Sequence, residues 1–224
     1  MAFEVIFEDR TDAGRALAER LGAYANRDDV LVLALPRGGV PVAFEVARKL
    51  RAPLDVFLVR KLGVPGQEEL AMGAISSGGI TVLNENVVRG LGIPREVIDR
   101  TAVAQREELT RRERLYRNHR PAPEIRGRCV LLIDDGLATG ASMLAAVQGL
   151  RKHEPARIVV AVPVAAEPTC QRFQGVADEI VCMATPEPFG GVGQWYEDFR
   201  QTTDDEVREL LQAAFERQAS GREE

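Results

Sequence analysis

Five short apolar runs limit this chain most: Val30 to Leu35, Leu54 to Val59, Val130 to Ile133, Ile158 to Val162 and Ile180 to Met183. A strand that is apolar on both faces belongs in a parallel sheet covered by helices on both sides. The spacers have the length of helical crossovers; Pro41 opens one helix that runs to about Leu50, and Gly140 to Lys152 reads as another. The expected fold class is therefore α/β, three layers around a central, mostly parallel sheet. A chain of 224 residues with 45% hydrophobic and 28% charged residues makes one large domain, 1–224, and is too short for two comfortable ones.

The remaining segments are read by their punctuation. A short strand opens the chain, and Thr11 can cap a helix whose apolar positions are Ala13, Leu17, Leu21 and Tyr24. From about 60 to 79, Gly63, Pro65, Gly66, Gly73, Gly78 and Gly79 predict a long mobile loop, with room for a hairpin around Ala71 to Ile75. A long charged helix follows over about 94–117, ended by Pro121 and Pro123. Thr203-Asp204-Asp205-Glu206 has the spacing of a capping box and opens a last helix.

Several function classes drop out. Cys129, Cys170 and Cys182 are odd in number and widely spaced, so buried reduced thiols are expected rather than a disulfide framework or a zinc site. With only His119 and His153, a histidine-centred metal site or a Ser-His-Asp triad is excluded. The N-terminus lacks the basic and apolar regions of a signal peptide. No apolar run nears the ~20 residues of a membrane span, since Ile158 to Ala166 is short and broken by Pro163. A cytoplasmic location without membrane contact is expected. The net charge of −5 argues against general nucleic-acid binding, although Arg106 to Arg128 holds eight arginines against four glutamates. The charges alternate in sign, which reads as a solvated helix face with i,i+4 pairs; RNA or polyphosphate contact is the alternative.

The chemistry concentrates in Val130-Leu131-Leu132-Ile133-Asp134-Asp135-Gly136-Leu137-Ala138-Thr139-Gly140-Ala141-Ser142. Two adjacent carboxylates stand at the C-terminal end of a buried strand, where ligands of open α/β sheets bind. Gly136 and Gly140 allow a tight turn, Thr139 and Ser142 offer hydroxyls, and the next helix points its free N–H groups back into the turn. That makes an anion cradle, each N–H favouring a phosphate by roughly 0.3–1 kcal/mol. Asp134 and Asp135 repel phosphate and must face something else, either a ribose diol, which donates hydrogen bonds, or a magnesium ion. A ribose 5-phosphate satisfies both halves.

These thirteen residues resemble the motif that binds 5-phosphoribosyl-1-pyrophosphate (PRPP) in type I phosphoribosyltransferases. The resemblance implies that Asp134 and Asp135 hold the ribose hydroxyls and that Gly136, Leu137, Ala138, Thr139 and Gly140 wrap the 5-phosphate. Thr139 and Ser142, the latter beside Ala141, would add hydroxyl contacts. Leu35-Pro36-Arg37-Gly38-Gly39 resembles the pyrophosphate loop of that family, with Arg37 meeting the leaving group. Arg60-Lys61 stands before a segment similar to the family's mobile loop, where the pair would neutralise pyrophosphate; a solvated pair is the other reading. Gly193 to Phe199 resembles the hood strand that carries the acceptor pocket, within hood elements at about 1–10 and 184–224. There Trp195 and Tyr196 are read either as a platform for a base or as core.

What the resemblance implies is displacement of pyrophosphate from C1 of PRPP by the nitrogen of a base. Mg2+ would be carried on the pyrophosphate near Asp134 and Asp135, with no direct protein ligand set, and a homodimer is expected. Ala138 stands where enzymes for 6-oxopurines have an acid, which argues against that acceptor class. Glu68 and Glu69 are the candidates for acid–base work. The alternative is a regulatory protein on the same fold that senses PRPP or a nucleotide and contacts RNA or a protein.

Overall fold

The computed structural model describes residues 5–118 and 120–220. Residues 1–4 and 221–224 of the expected hood, and His119, lie outside the described residues. Helix α1 (Arg10–Arg20) precedes strand β1 (Val30–Ala34), helix α2 (Gly39–Leu50) and strand β2 (Leu54–Val56). Strands β3 (Val59–Val64), β4 (Gln67–Ser76) and β5 (Ile80–Leu83) come next, then helices α3 (Glu85–Gly90) and α4 (Arg95–Arg117). The second half runs β6 (Cys129–Ile133), α5 (Ala141–Arg151), β7 (Arg157–Val164), α6 (Glu167–Arg172), β8 (Glu179–Ala184) and α7 (Asp204–Ser220).

The central sheet has five parallel strands in the order β2-β1-β6-β7-β8. Alternate residues feed two cores. Val30, Val32, Ala34, Leu131, Ile133, Val159 and Ala161 face one layer with α1, α2, α4 and α7. Leu31, Leu33, Val130, Leu132, Ile158, Val160 and Val162 face the other with α5. Every residue of β1 and β6 is buried, as a strand covered on both faces requires. The expected α/β class with a central parallel sheet holds.

The segment 60–79 departs from the expected loop, although Ala71 to Ile75 does lie in antiparallel hairpin pairing. In place of a long loop, β3, β4 and β5 form a separate antiparallel sheet, with Leu62, Met72 and Ile75 buried in the first core beside Ile98 and Leu109 of α4. The glycines act inside strands: a Cβ on Gly63 would come 2.7 Å from the Glu68 carbonyl oxygen across the pair. The opening helix is capped two residues earlier than expected, because the Asp9 carboxylate accepts from the Asp12 N–H at 2.8 Å and Thr11 is already helical. The expected N-terminal strand reduces, among the described residues, to a bridge between Phe7 and Tyr196.

Helix α4 spans the expected range, and several of its arginines are paired. Arg111 and Arg112 both grip Glu108 and draw its carboxyl down to about 2. Arg117 is buried against Asp55 and Glu113, and Arg120 donates to the Arg117 carbonyl while lying over Phe215. The reduced-thiol reading holds for buried Cys129 alone. Cys170 and Cys182 form a disulfide, because α6 folds back beside β8 and brings their Cα atoms within 6.5 Å. The capping box of α7 is present, with Thr203 Oγ1 accepting from the Glu206 N–H at 3.1 Å and Glu206 Oε2 from the Thr203 N–H at 2.6 Å.

Candidate active site

The ends of β1 and β6 lie side by side, with Ala34 level with Ile133, so the two turns that follow them face each other. The first turn is Leu35-Pro36-Arg37-Gly38-Gly39. It is pinned by the Leu35 N–H donating to the Ile133 carbonyl at 2.9 Å, and its Pro36-Arg37 peptide is cis. Helix α2 begins directly at Gly39, two residues earlier than Pro41 suggests. No side chain fits on the inner face of this turn. A Cβ on Gly38 would run into Asp135 Oδ2, and one on Gly39 would come 2.8 Å from the Ile133 carbonyl oxygen.

The second turn, Asp134 to Gly140, delivers the rest. Asp134 Oδ1 accepts from the Asp135 N–H at 2.9 Å. Leu137 is stitched to the neighbouring strand end by its N–H on the Val164 carbonyl and its carbonyl on the Ala166 N–H, both 2.9 Å. Gly140, at φ 75°, closes the turn in the left-handed region and starts α5. Two side chains of α6 hold the back of this loop: Thr169 Oγ1 donates to the Ala138 carbonyl and Arg172 Nη2 to the Thr139 carbonyl, each at 2.6 Å. With those carbonyls engaged from behind, no described residue accepts from the N–H groups of Ala138, Thr139, Gly140 or Ala141. Thr139, Ala141 and Ser142 are exposed. Free N–H groups at a helix N-terminus attract an anion.

Electrostatics set the two carboxylates apart from ordinary surface acids. Burial, then the charge of Asp135, pushes the Asp134 carboxyl well above the usual range. Burial also raises Asp135, and Arg10 opposes that rise by donating Nε to Asp135 Oδ2 at 2.8 Å. The Tyr196 hydroxyl donates to the Asp135 carbonyl at 2.6 Å, and burial raises its pKa, so it stays a donor. Arg37, the basic residue of the first turn, is partly exposed, its Nη1 3.8 Å from Asp204 at the start of α7.

An anion cradle, two recessed carboxylates and a basic turn thus stand at the C-terminal end of one parallel sheet. Residues 7–182 match the profile of the phosphoribosyl transferase domain. The chain belongs to that family. Two Mycobacterium tuberculosis proteins, provisionally named phosphoribosyl transferases, are each 51% identical to it over 209 residues, which is 93% of this chain and 47% of theirs. The chain therefore spans about half the length of these curated relatives. The crystal structure of TT1426 from Thermus thermophilus superposes with a TM-score of 0.81 at 45% identity, covering 92% of this chain and 97% of that one.

Not every expected residue gathers at the turns. Arg60 on β3 donates to Gln105 Oε1 of α4 at 2.6 Å, and Lys61 to Glu69 Oε2 of β4 at 3.1 Å. Glu68 accepts from the Gly66 N–H, and backbone hydrogen bonds hold its exposed carboxyl below the usual range, which makes it a poor proton acceptor. Trp195 is core: it is 4% exposed and packs with Phe7, Ala13 and Val164, so its burial opposes the platform reading. Tyr196 is buried too, and its hydroxyl supports the carboxylate turn rather than presenting a ring face.

Sequence reasoning missed Arg10, Thr169, Arg172 and Asp204. With the cap expected at Thr11, Arg10 stood before the helix and carried no signal; the observed cap at Asp9 places it in the first turn.

Proposed function

We propose that this phosphoribosyl transferase moves the 5-phosphoribosyl group of PRPP to a nitrogenous base and releases pyrophosphate. The observation that carries the reading is the pairing of unengaged loop N–H groups at Ala138 to Ala141 with the recessed carboxylates of Asp134 and Asp135 across one turn. The N–H groups, with the hydroxyls of Thr139 and Ser142, suit a 5-phosphate, and the carboxylates suit hydroxyl donors of the ribose. Arg37 and the Gly38-Gly39 backbone suit pyrophosphate, and a side chain at either glycine would strike the Asp134-Asp135 turn or the Ile133 carbonyl.

Mg2+ belongs to this proposal. Among the described residues no cluster of three His, Cys, Asp or Glu forms a cage for a metal. Two carboxylates beside a polyphosphate site fit the way magnesium binds, through substrate oxygens and water with one or two acidic groups nearby. When bound, the ion supplies charge neutralisation on the departing pyrophosphate. The chain's own part is to hold the phosphate end, orient the ribose and place Arg37 at the leaving group.

No carboxylate stands at Ala138, which favours acceptors other than 6-oxopurines. The product of a base and PRPP is a nucleotide, so the activity fits nucleobase salvage in the cytoplasm. No helix among the described residues is long and apolar enough to cross a membrane. A homodimer is part of the same reading by family resemblance.

The test incubates the protein with PRPP, Mg2+ and each of adenine, hypoxanthine, guanine, xanthine, orotate and uracil, with pyrophosphate release as the readout. Release with one base that disappears in Asp134→Asn and Asp135→Asn variants supports the transferase. Binding of PRPP without release for any base favours a sensor on the same fold.

A further inference from the structure

Arg10 lies outside both turns, yet two distant segments converge on its guanidinium. Its side chain is 11% exposed. Nε donates to Asp135 Oδ2 and Nη1 to the Arg200 carbonyl, both at 2.8 Å, and its central carbon sits 3.9 Å from the centre of the Phe199 ring. The ring and the Arg200 carbonyl fix the plane of the guanidinium, and that plane fixes Asp135. The Gly38 turn closes on the same Oδ2, leaving no space there for a ligand. Arg10 engages Oδ2 alone and leaves Oδ1 of Asp135 to other partners.

We propose that Arg10 is a positioning residue for ribose recognition: it captures Asp135 Oδ2 and so presents Oδ1, in one orientation, to a hydroxyl of the ribose diol. The inference rests on the PRPP reading. It explains why a cation occupies the first turn of α1, where the helix dipole disfavours it. It also assigns a task to the chain after Tyr196: Phe199 and Arg200 hold Arg10, which in turn holds the carboxylate.

A purely structural Arg10 and a positioning Arg10 differ in how their loss combines with loss of Asp135. PRPP with Mg2+ is titrated calorimetrically into the full chain and into Arg10→Gln, Asp135→Asn, the double variant and Arg10→Lys. Arg10→Gln is expected to weaken binding by about tenfold, and the double variant to bind no more weakly than Asp135→Asn alone. Arg10→Lys, which keeps the charge, is expected to recover part of the loss. Binding by Arg10→Gln within twofold of the parent, or losses that multiply in the double variant, overturns the proposal. If Arg10→Gln does not fold, Phe199→Leu replaces it, with a smaller loss expected that also vanishes in the Asp135→Asn background; multiplied losses there overturn it equally. A parent chain that binds no PRPP sinks the substrate reading and this inference together, whereas uncoupled losses sink the inference alone.

Discussion

The Tyr116 hydroxyl donates to Asp204 Oδ1 at 2.6 Å, joining the last turn of α4 to the first residue of α7. Burial and this bond push the tyrosine up to about 12, so it remains a donor at any ordinary pH. Asp204 is also the carboxylate 3.8 Å from Arg37 Nη1, so the long helix reaches the basic turn through one acid. Arg37 therefore faces an acid that α4 itself holds in place. Asp204→Asn is expected to weaken PRPP binding by about two- to fivefold, the range of a partly exposed ion pair, and Arg37→Ala by far more. Titration calorimetry on the three proteins checks the order. Equal losses for both variants would show that Asp204 does more than aim Arg37.

The Gly38 turn should tolerate no side chain. In Gly38→Ala the new methyl meets Asp135 Oδ2 and lies 2.7 Å from its Cγ, so the carboxylate must leave Arg10 or the turn must move. The expected outcome is a stability cost of about 1–3 kcal/mol and a larger than tenfold loss of PRPP binding. Chemical denaturation and calorimetry measure the two separately.

Asp134 should make the protein less stable as pH rises. Its folded carboxyl is raised by burial and by Asp135, so the folded state keeps a proton that the unfolded chain releases near pH 4. The folded state gains from that proton below the unfolded value and loses the gain as pH climbs toward the folded value. Asp134→Asn, whose Oδ1 still accepts from the Asp135 N–H, is expected to melt higher than the parent at pH 7. The difference is expected to shrink toward pH 4. About 2–4 °C accompanies each kcal/mol in a chain of this size. A constant difference across that range would place the proton elsewhere.

Much of this organisation is legible in the sequence, and the reasons for the exceptions are specific. Strands β1, β6 and β7 announce themselves because both faces are buried, leaving no polar alternation to confuse with a helix. The Asp134 to Ser142 turn is legible because all its parts are consecutive. The β3 to β5 sheet was not, because Gly63 and Gly73 read as loop punctuation when each in fact lets a neighbouring strand approach. Arg10 meets Asp135 across 125 positions, and Cys170 meets Cys182 only once α6 has folded back, so local pattern is silent on both. Trp195 carried no periodicity to choose between a ligand face and the core, and burial decides for the core.

A second buried pair ties the edge strand of the central sheet to α4. Arg117 donates Nε to both oxygens of Asp55, at 3.1 and 2.9 Å, and Nη2 to the Val56 carbonyl at 3.1 Å, tying α4 to strand β2. Burial raises the Asp55 carboxyl and Arg117 opposes that rise. Arg117→Ala is expected to cost about 3–5 kcal/mol, because it strands a buried carboxylate. Adding Asp55→Asn should return part of that loss, which urea unfolding of the single and double variants would reveal.

The account stands or falls on PRPP occupying the turn between β6 and α5. The most direct measurement is calorimetric titration of PRPP with Mg2+ into the parent chain and into Asp134→Asn, Asp135→Asn and Thr139→Ala variants. Saturable one-site binding to the parent, weakened in all three variants while their melting curves remain cooperative, is the predicted result. No heat of binding to the parent, or affinity unchanged by all three substitutions, would contradict it.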